Sequence, residues 1–133
     1  MTPRLLLDTH VAVAWLIDSK HLSKEQTRAL ERAVQRNEPV ALSAITLLEI
    51  AVLVNLGKVS FKGGLEDFFN DLRSNPVFQL LPLSYEVALE VASIGALKDP
   101  ADRTVVATAR VHRLRLLTSD QRIIDSKLVP TVD

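Results

Sequence analysis

The chain has no cysteine among its 133 residues. That excludes a disulfide scaffold, a thiolate zinc site and thiol catalysis, and it suits a reducing compartment. Glycine and proline are scarce, at four and six residues, while 47% of the chain is apolar, so a packed core is expected rather than disorder. Net charge is absent as well, because sixteen basic residues offset sixteen acidic ones. With no overall basic field, any contact with a polyanion must be local. Long hydrophobic runs are also missing. The opening "MTPRLLLDTH" holds three leucines before an aspartate, too few for a signal segment or a membrane span. These absences lead us to expect one domain over residues 1–133, cytoplasmic and without a membrane partner. The apolar content further suggests that some surface lies in an oligomer or partner interface.

What is present alternates. "RLLLD" (Arg4 to Asp8), "PVALS", "VFQLL", "LRLLT" and "KLVPTV" are short apolar runs of strand length, the last an edge strand because Pro130 would interrupt a central one. Between them lie helical patterns. "VAVAWLI" is apolar all round. "SKEQTRALERAVQR" opens on Ser23 as a cap, turns Ala29, Leu30, Ala33 and Val34 to one side, and is ended by Pro39. "AITLLEIAVLVNLG" is a long apolar helix stopped near Gly57. "GGLEDFFNDLRS" is amphipathic and broken by Pro76, and "SYEVALEVASIGAL" is capped by Ser84. A helix from "KDPADRTVVATA" to about His112 and a turn at "SDQRIIDS" complete the series. Strands alternating with helices predict an α/β fold with a central, mainly parallel sheet of about five strands and helices on both faces.

Four acids stand out. Asp8 and Asp120 each follow an apolar strand, at the edge where open parallel sheets bind ligands, although either could cap the next helix. Glu49 is the only charge between Pro39 and Lys58; a carboxylate on so apolar a helix calls for an arginine such as Arg103, a solvent gap or a cation. In "KDPADR", Asp99 is a favoured N-cap type, Pro100 suits the first helical position, and Asp102 falls at the third, beside the helix dipole. Asp8, Glu49, Asp102 and Asp120 bring no lysine with them and cannot all stay ionised without a counter-charge. A hard divalent cation, magnesium or manganese, would supply one, and with it the chemistry of metal-assisted phosphodiester cleavage.

The stretches "LLLDTHVAVAWL", "LSAITLLEIAVLVNLGKV", "KDPADRTVVATA" and "LLTSDQRI", in this order and spacing, resemble a PIN domain, specifically the VapC-type toxins of type II toxin–antitoxin pairs. The resemblance spans nearly the whole chain. It implies a three-layer αβα sandwich, metal-dependent endoribonuclease activity, an RNA substrate, a cognate antitoxin as partner and a homodimer. The family's acidic set falls on Asp8, Glu49, Asp102 and Asp120. Asp99 matches a further acid of the "DPxDR" subgroup and is read chiefly as the cap, with an outer role at the site. Thr118 and Ser119 match the small hydroxyl residues that precede the last acid. Lys98 stands where relatives commonly carry His or Gly, which bears on how the loop contacts RNA. No core acid is missing.

Other residues divide between structure and partners. His10, His21 and His112 share no ligand spacing. Trp15 and the Phe68–Phe69 pair are read as core or interface rather than base-stacking platforms. Arg103 is expected to orient an acid by ion pairing, with substrate contact second. Lys24, Arg28, Arg32 and Arg36 recur every fourth residue as a basic stripe: a solvated face balanced by Glu25 and Glu31, or a contact for phosphate or an acidic partner. Competing functions fit less well. A receiver-type phosphoacceptor domain wants a mid-chain aspartate that "PVALSAIT" lacks. A haloacid-dehalogenase-like phosphatase wants an aspartate where "DTH" has His10. A catalytically silent PIN-like binding module with structural acids is the non-enzymatic alternative.

Overall fold

The computed structural model describes residues 2–133. Five strands, β1 (Leu5–Leu7), β2 (Val40–Ser43), β3 (Phe78–Leu81), β4 (Arg115–Leu117) and β5 (Thr131–Val132), form one sheet in the order β3-β2-β1-β4-β5. Every pairing is parallel, with Leu5 beside Val40 on one flank of β1 and beside Arg115 on the other. The three central strands are nearly all aliphatic because they are covered on both faces.

Seven helices cover the sheet: α1 (Thr9–Ile17), α2 (Lys24–Gln35), α3 (Ala44–Asn55), α4 (Leu65–Ser74), α5 (Tyr85–Ala92), α6 (Pro100–His112) and α7 (Gln121–Ser126). Alternation along the strands divides the core in two. Leu5, Leu7, Val40, Leu42 and Leu117 pack with α1, α2 and α4, whereas Leu6, Ala41 and Leu116 pack with α5, α6 and α7. Helix α3 touches both halves through Ile45 and Leu47. The result is a three-layer α/β sandwich around a parallel sheet.

Local chemistry sets the element ends. Ser23 and Gln26 form a complete capping box at the start of α2. That helix stops before the proline expected to end it. Asn37 adopts φ 55°, and Asn37 and Glu38 donate back to Val34 and Ala33, so a left-handed cap terminates α2 two residues short of Pro39. Gly57, at φ 74°, closes α3 in the same way. Val34, expected on the buried side of α2, is 46% exposed, because Leu30 and Ala33 already fill the contact with the sheet. Trp15, Phe68 and Phe69 pack against the core, Trp15 edge-on to Phe78 at 5.6 Å. Among the described residues no helix is long and apolar enough to cross a membrane.

Leu6 is fully buried in the central strand and Leu48 is 58% exposed on α3. Truncating Leu6 to alanine is expected to cost about 2–5 kcal/mol. Leu48→Ala should stay within about 0.5 kcal/mol of wild type in denaturant titrations. Equal losses for the two would contradict this division of the core.

Candidate active site

Sheet order fixes where ligands can sit. From β1 the chain moves outward through β2 to β3, then crosses back to β4 and β5, so the connections diverge between β1 and β4. The crevice at the carboxyl ends of those two strands is the binding position of open α/β sheets. Asp8 leaves β1 there and Asp120 follows β4.

The backbone aims both. Asp8 is extended (φ −66°, ψ 154°) and caps α1 by accepting from the Thr9 amide at 2.8 Å. Its second oxygen accepts from the Thr118 hydroxyl at 2.7 Å. That hydroxyl in turn accepts the Asp120 amide at 3.1 Å, so Thr118 ties together the two acids and the two strand ends. Asp8 is only 5% exposed, and both of its oxygens are engaged.

Glu49 joins through α1. The Thr9 hydroxyl donates to Glu49 Oε1 at 2.5 Å and lies 3.1 Å from the Thr46 hydroxyl. No arginine pairs with Glu49 among the described residues. Its helix is less buried than its composition suggests, since Leu48, Val52 and Leu56 are exposed. Half-burial and a threonine partner satisfy Glu49 without an ion pair.

Asp102 joins through a residue the sequence reading missed. Asp99 caps α6 through the amides of Ala101 (2.8 Å) and Asp102 (3.1 Å), with Pro100 at the first position. From that start Asp102 reaches Arg122, whose guanidinium lies 3.4 Å from it and 3.0 Å from Asp120. Among the described residues Arg122 is thus the one cation bridging two of the acids. Its signal was its place two residues after Asp120, in the first turn of α7.

Arg103, expected in that role, does not fill it. Its Nε donates to the carbonyl of Leu97, pinning the loop before α6, and it pairs with none of the acids among the described residues. Ser119 faces the other way, accepting from Gln26 Nε2 at 3.2 Å. The buried Gln26 also holds the Val132 carbonyl, which fastens α2 to the ends of β4 and β5. Lys98 is exposed beside the cap. His10 and His112 are exposed, and His21 lies 3.3 Å from Asp18.

Charge is unevenly settled. Burial pushes the Asp102 carboxyl up to about 6, helped by the negative charges of Asp99, Asp120 and Asp8, while Arg122 pulls the other way. The side-chain hydrogen bonds from Arg122 hold Asp120 below the usual carboxylate range. One guanidinium therefore serves two acids and leaves Asp102 short of counter-charge. Among the described residues no three His, Asp or Glu side chains already converge as a metal-holding group. The set is linked rather than closed: Asp102–Arg122–Asp120–Thr118–Asp8–Thr9–Glu49. Its donors are all oxygens, the type that magnesium and manganese prefer. A cavity of about 410 Å³ lies elsewhere, beside Leu114 and Val129. Arg110 in its wall is already held by Glu90 and the Leu128 carbonyl, so that cavity offers no comparable chemistry.

A parallel α/β sandwich whose linked carboxylates lie at the switch point has them where open α/β sheets bind ligands. The PIN domain model matches residues 5–127, and the chain belongs to the PIN domain family. It is similar to Ribonuclease VapC22 of Mycobacterium tuberculosis, with 29% identity over 121 residues that cover 90% of this chain and 88% of the relative. Its fold matches FitAcB of Neisseria gonorrhoeae (TM-score 0.68, 24% identity, 97% and 96% of the two chains). It also matches VapBC2 of Rickettsia felis, solved bound to a DNA fragment from its promoter (TM-score 0.69, 17% identity, 98% and 97%).

The Asp102 carboxyl keeps its proton more tightly folded than unfolded, so its contribution favours the fold below the ordinary value of 3.8 and is lost as pH rises through about 6. In chelator-treated protein Asp102→Asn should therefore melt at a higher temperature than wild type at neutral pH. The gap should close as the pH falls towards 3.8. A variant that melts lower at neutral pH would show that Asp102 is a net stabiliser.

Proposed function

We propose that this protein is a divalent-metal-dependent endoribonuclease, the toxin of a type II toxin–antitoxin module, which cleaves RNA phosphodiester bonds with a metal-activated water. One observation carries the reading: four carboxylates from four separate elements are linked near the sheet's switch point, Asp102 and Asp120 through Arg122 and the rest through Thr118 and Thr9. Membership of the PIN family and similarity to a ribonuclease of the VapC type support it.

Asp8, Asp102 and Asp120 would hold Mg2+ or Mn2+, with Glu49 beside them. The cation, when bound, lowers the pKa of a water and offsets charge on the phosphate. The chain's own groups do the rest. Thr118 and the Thr9 amide fix Asp8 in place. Thr9 holds one oxygen of Glu49 and leaves the other to orient the attacking water. Asp99 sets the start of α6 and thereby the reach of Asp102. Arg122 lies between Asp102 and Asp120 and offsets part of their charge, and a bound cation would compete with it for both acids.

The protein acts in the cytoplasm as one PIN unit over residues 1–133. Its apolar surface, including Leu48, Val52 and Leu56 on α3 and Leu83, Tyr85 and Leu89 near α5, serves a cognate antitoxin and a homodimer. A Klebsiella pneumoniae structure of similar fold, solved as a toxin–antitoxin complex (TM-score 0.64, 24% identity), supports such a partner. Lys98, exposed beside the acids, contacts RNA.

Purified protein incubated with RNA and Mg2+ or Mn2+ should cleave it and should stop on addition of a chelator. Asp8→Asn and Asp102→Asn should each lower the rate on the order of 100-fold or more. Equal activity in wild type and both variants, or none in any, refutes the nuclease reading and leaves a binding module with structural acids.

A further inference from the structure

The acids crowd one end of the parallel sheet, and arginines crowd the other. Arg4 immediately precedes β1 and Arg115 opens β4, so the two sit side by side, with the Arg115 amide donating to the Arg4 carbonyl at 2.9 Å. Arg32 and Arg36, one turn apart near the end of α2, face the same concavity of about 180 Å³, whose floor is Leu5, Ala29 and Ala33. A single carboxylate answers these four cations: Glu38, which lies 3.9 Å from Arg4. In a chain with no net charge this is a local surplus of three positive charges.

Helix α2 connects that concavity to the acidic edge. At its first turn Gln26 holds Ser119 and the Val132 carbonyl, next to Asp120. At its far end Arg36 reaches the amino ends of the strands. Lys24, Arg28, Arg32 and Arg36 span twelve residues between, about 18 Å of helix. The two glutamates expected to balance them do so only in part. Glu25 engages Arg28 alone, at 3.4 Å, and Glu31 faces a different cavity with Trp15 and Leu30. Lys24, Arg32, Arg36 and Arg115 form no ion pair among the described residues.

We propose that α2 and the Arg4–Arg32–Arg36–Arg115 concavity form a phosphate track. It would hold the backbone of single-stranded RNA from the acidic edge around to the opposite end of the sheet. This deepens the ribonuclease reading and rests on it for the identity of the polyanion. Arginine forks match phosphate oxygens, and a spaced line of them on a helix follows a backbone without reading bases. An acidic protein segment is the weaker fit, since five of the eight lining residues are charged and only Leu5, Ala29 and Ala33 offer apolar contact to an anchoring side chain.

The test is binding by the full chain in chelator, where cleavage cannot occur, to a mixed-sequence RNA of about 20 nucleotides. Salt is varied, and a polyglutamate peptide is measured in parallel. Each double variant, Arg32→Gln with Arg36→Gln and Arg4→Gln with Arg115→Gln, should weaken RNA binding about tenfold. Each should also lower the salt slope by about 1.4, which is 0.7 per lost contact on a single strand. The exposed Lys62→Gln should change neither, and thermal melts check that all variants fold. Unchanged affinity and slope in both pairs overturns the track, as does arginine-dependent binding of polyglutamate without binding of RNA. Cleavage in Mg2+ is scored separately. RNA binding with the expected slopes but no cleavage sinks the nuclease and keeps the track. Cleavage with arginine-independent binding does the reverse.

Discussion

The 2.7 Å bond from the Thr118 hydroxyl to Asp8 joins the ends of β1 and β4, the two strands between which the sheet changes direction. Much else depends on it. Without it, the second oxygen of a carboxylate only 5% exposed would lack a buried donor, and only the Thr9 amide would hold the side chain. With it, Asp8 is held rigidly enough to start α1, and Thr9 in the same turn is placed to hold Glu49. Fold and site are therefore built from the same few groups. The threonines, which carry no charge of their own, set the positions of the residues that do.

Capping and ligation turn out to be compatible for the same chemical reason. An N-cap aspartate must be extended at its own backbone and must point its carboxylate back over the first turn. That conformation also carries a side chain out past the end of a strand, towards the switch-point crevice. Asp8, Asp99 and Asp120 all adopt it. Asp99 spends one oxygen on two amides at the start of α6, and its contribution to the site is electrostatic: it stands next after burial among the causes that raise the Asp102 carboxyl. A helix start is thus a positioning device that a short, polar side chain can supply without any larger rearrangement.

The alternation of apolar runs and capped helices in the sequence was enough to place every strand and nearly every helix, because a parallel sheet buried on both faces leaves little freedom in composition. What could not be read were choices between neighbours of equal chemistry. Arg103 directly follows Asp102 and Arg122 stands two residues after Asp120, but a helix turns side chains by 100° per residue, and only the packing of α7 against the sheet brings Arg122 between Asp102 and Asp120. Gln26 was hidden for a similar reason. In sequence it completes a capping box, and only the folded chain shows the same side chain buried against Ser119 and Val132. Val34 follows the helical period of its buried neighbours, yet Leu30 and Ala33 already fill the contact and leave it exposed.

Neutral composition concealed the most consequential feature, which is segregation along the strand axis. Parallel strands put all amino ends at one edge and all carboxyl ends at the other, so residues that flank strands sort by which side of the strand they occupy in sequence. At the two strands that flank the switch point, β1 and β4, acids lie beyond the carboxyl ends and arginines precede or open the strands: Asp8 and Asp120 against Arg4 and Arg115. Charges at the two edges cancel in sum but act at a distance from each other, where screening over roughly 8–10 Å prevents one edge from neutralising the other. A zero net charge is then fully consistent with a strongly negative crevice and a strongly positive concavity on the same small molecule. Only the ordering of charged residues around each strand, not their total, carries information about what each edge can hold.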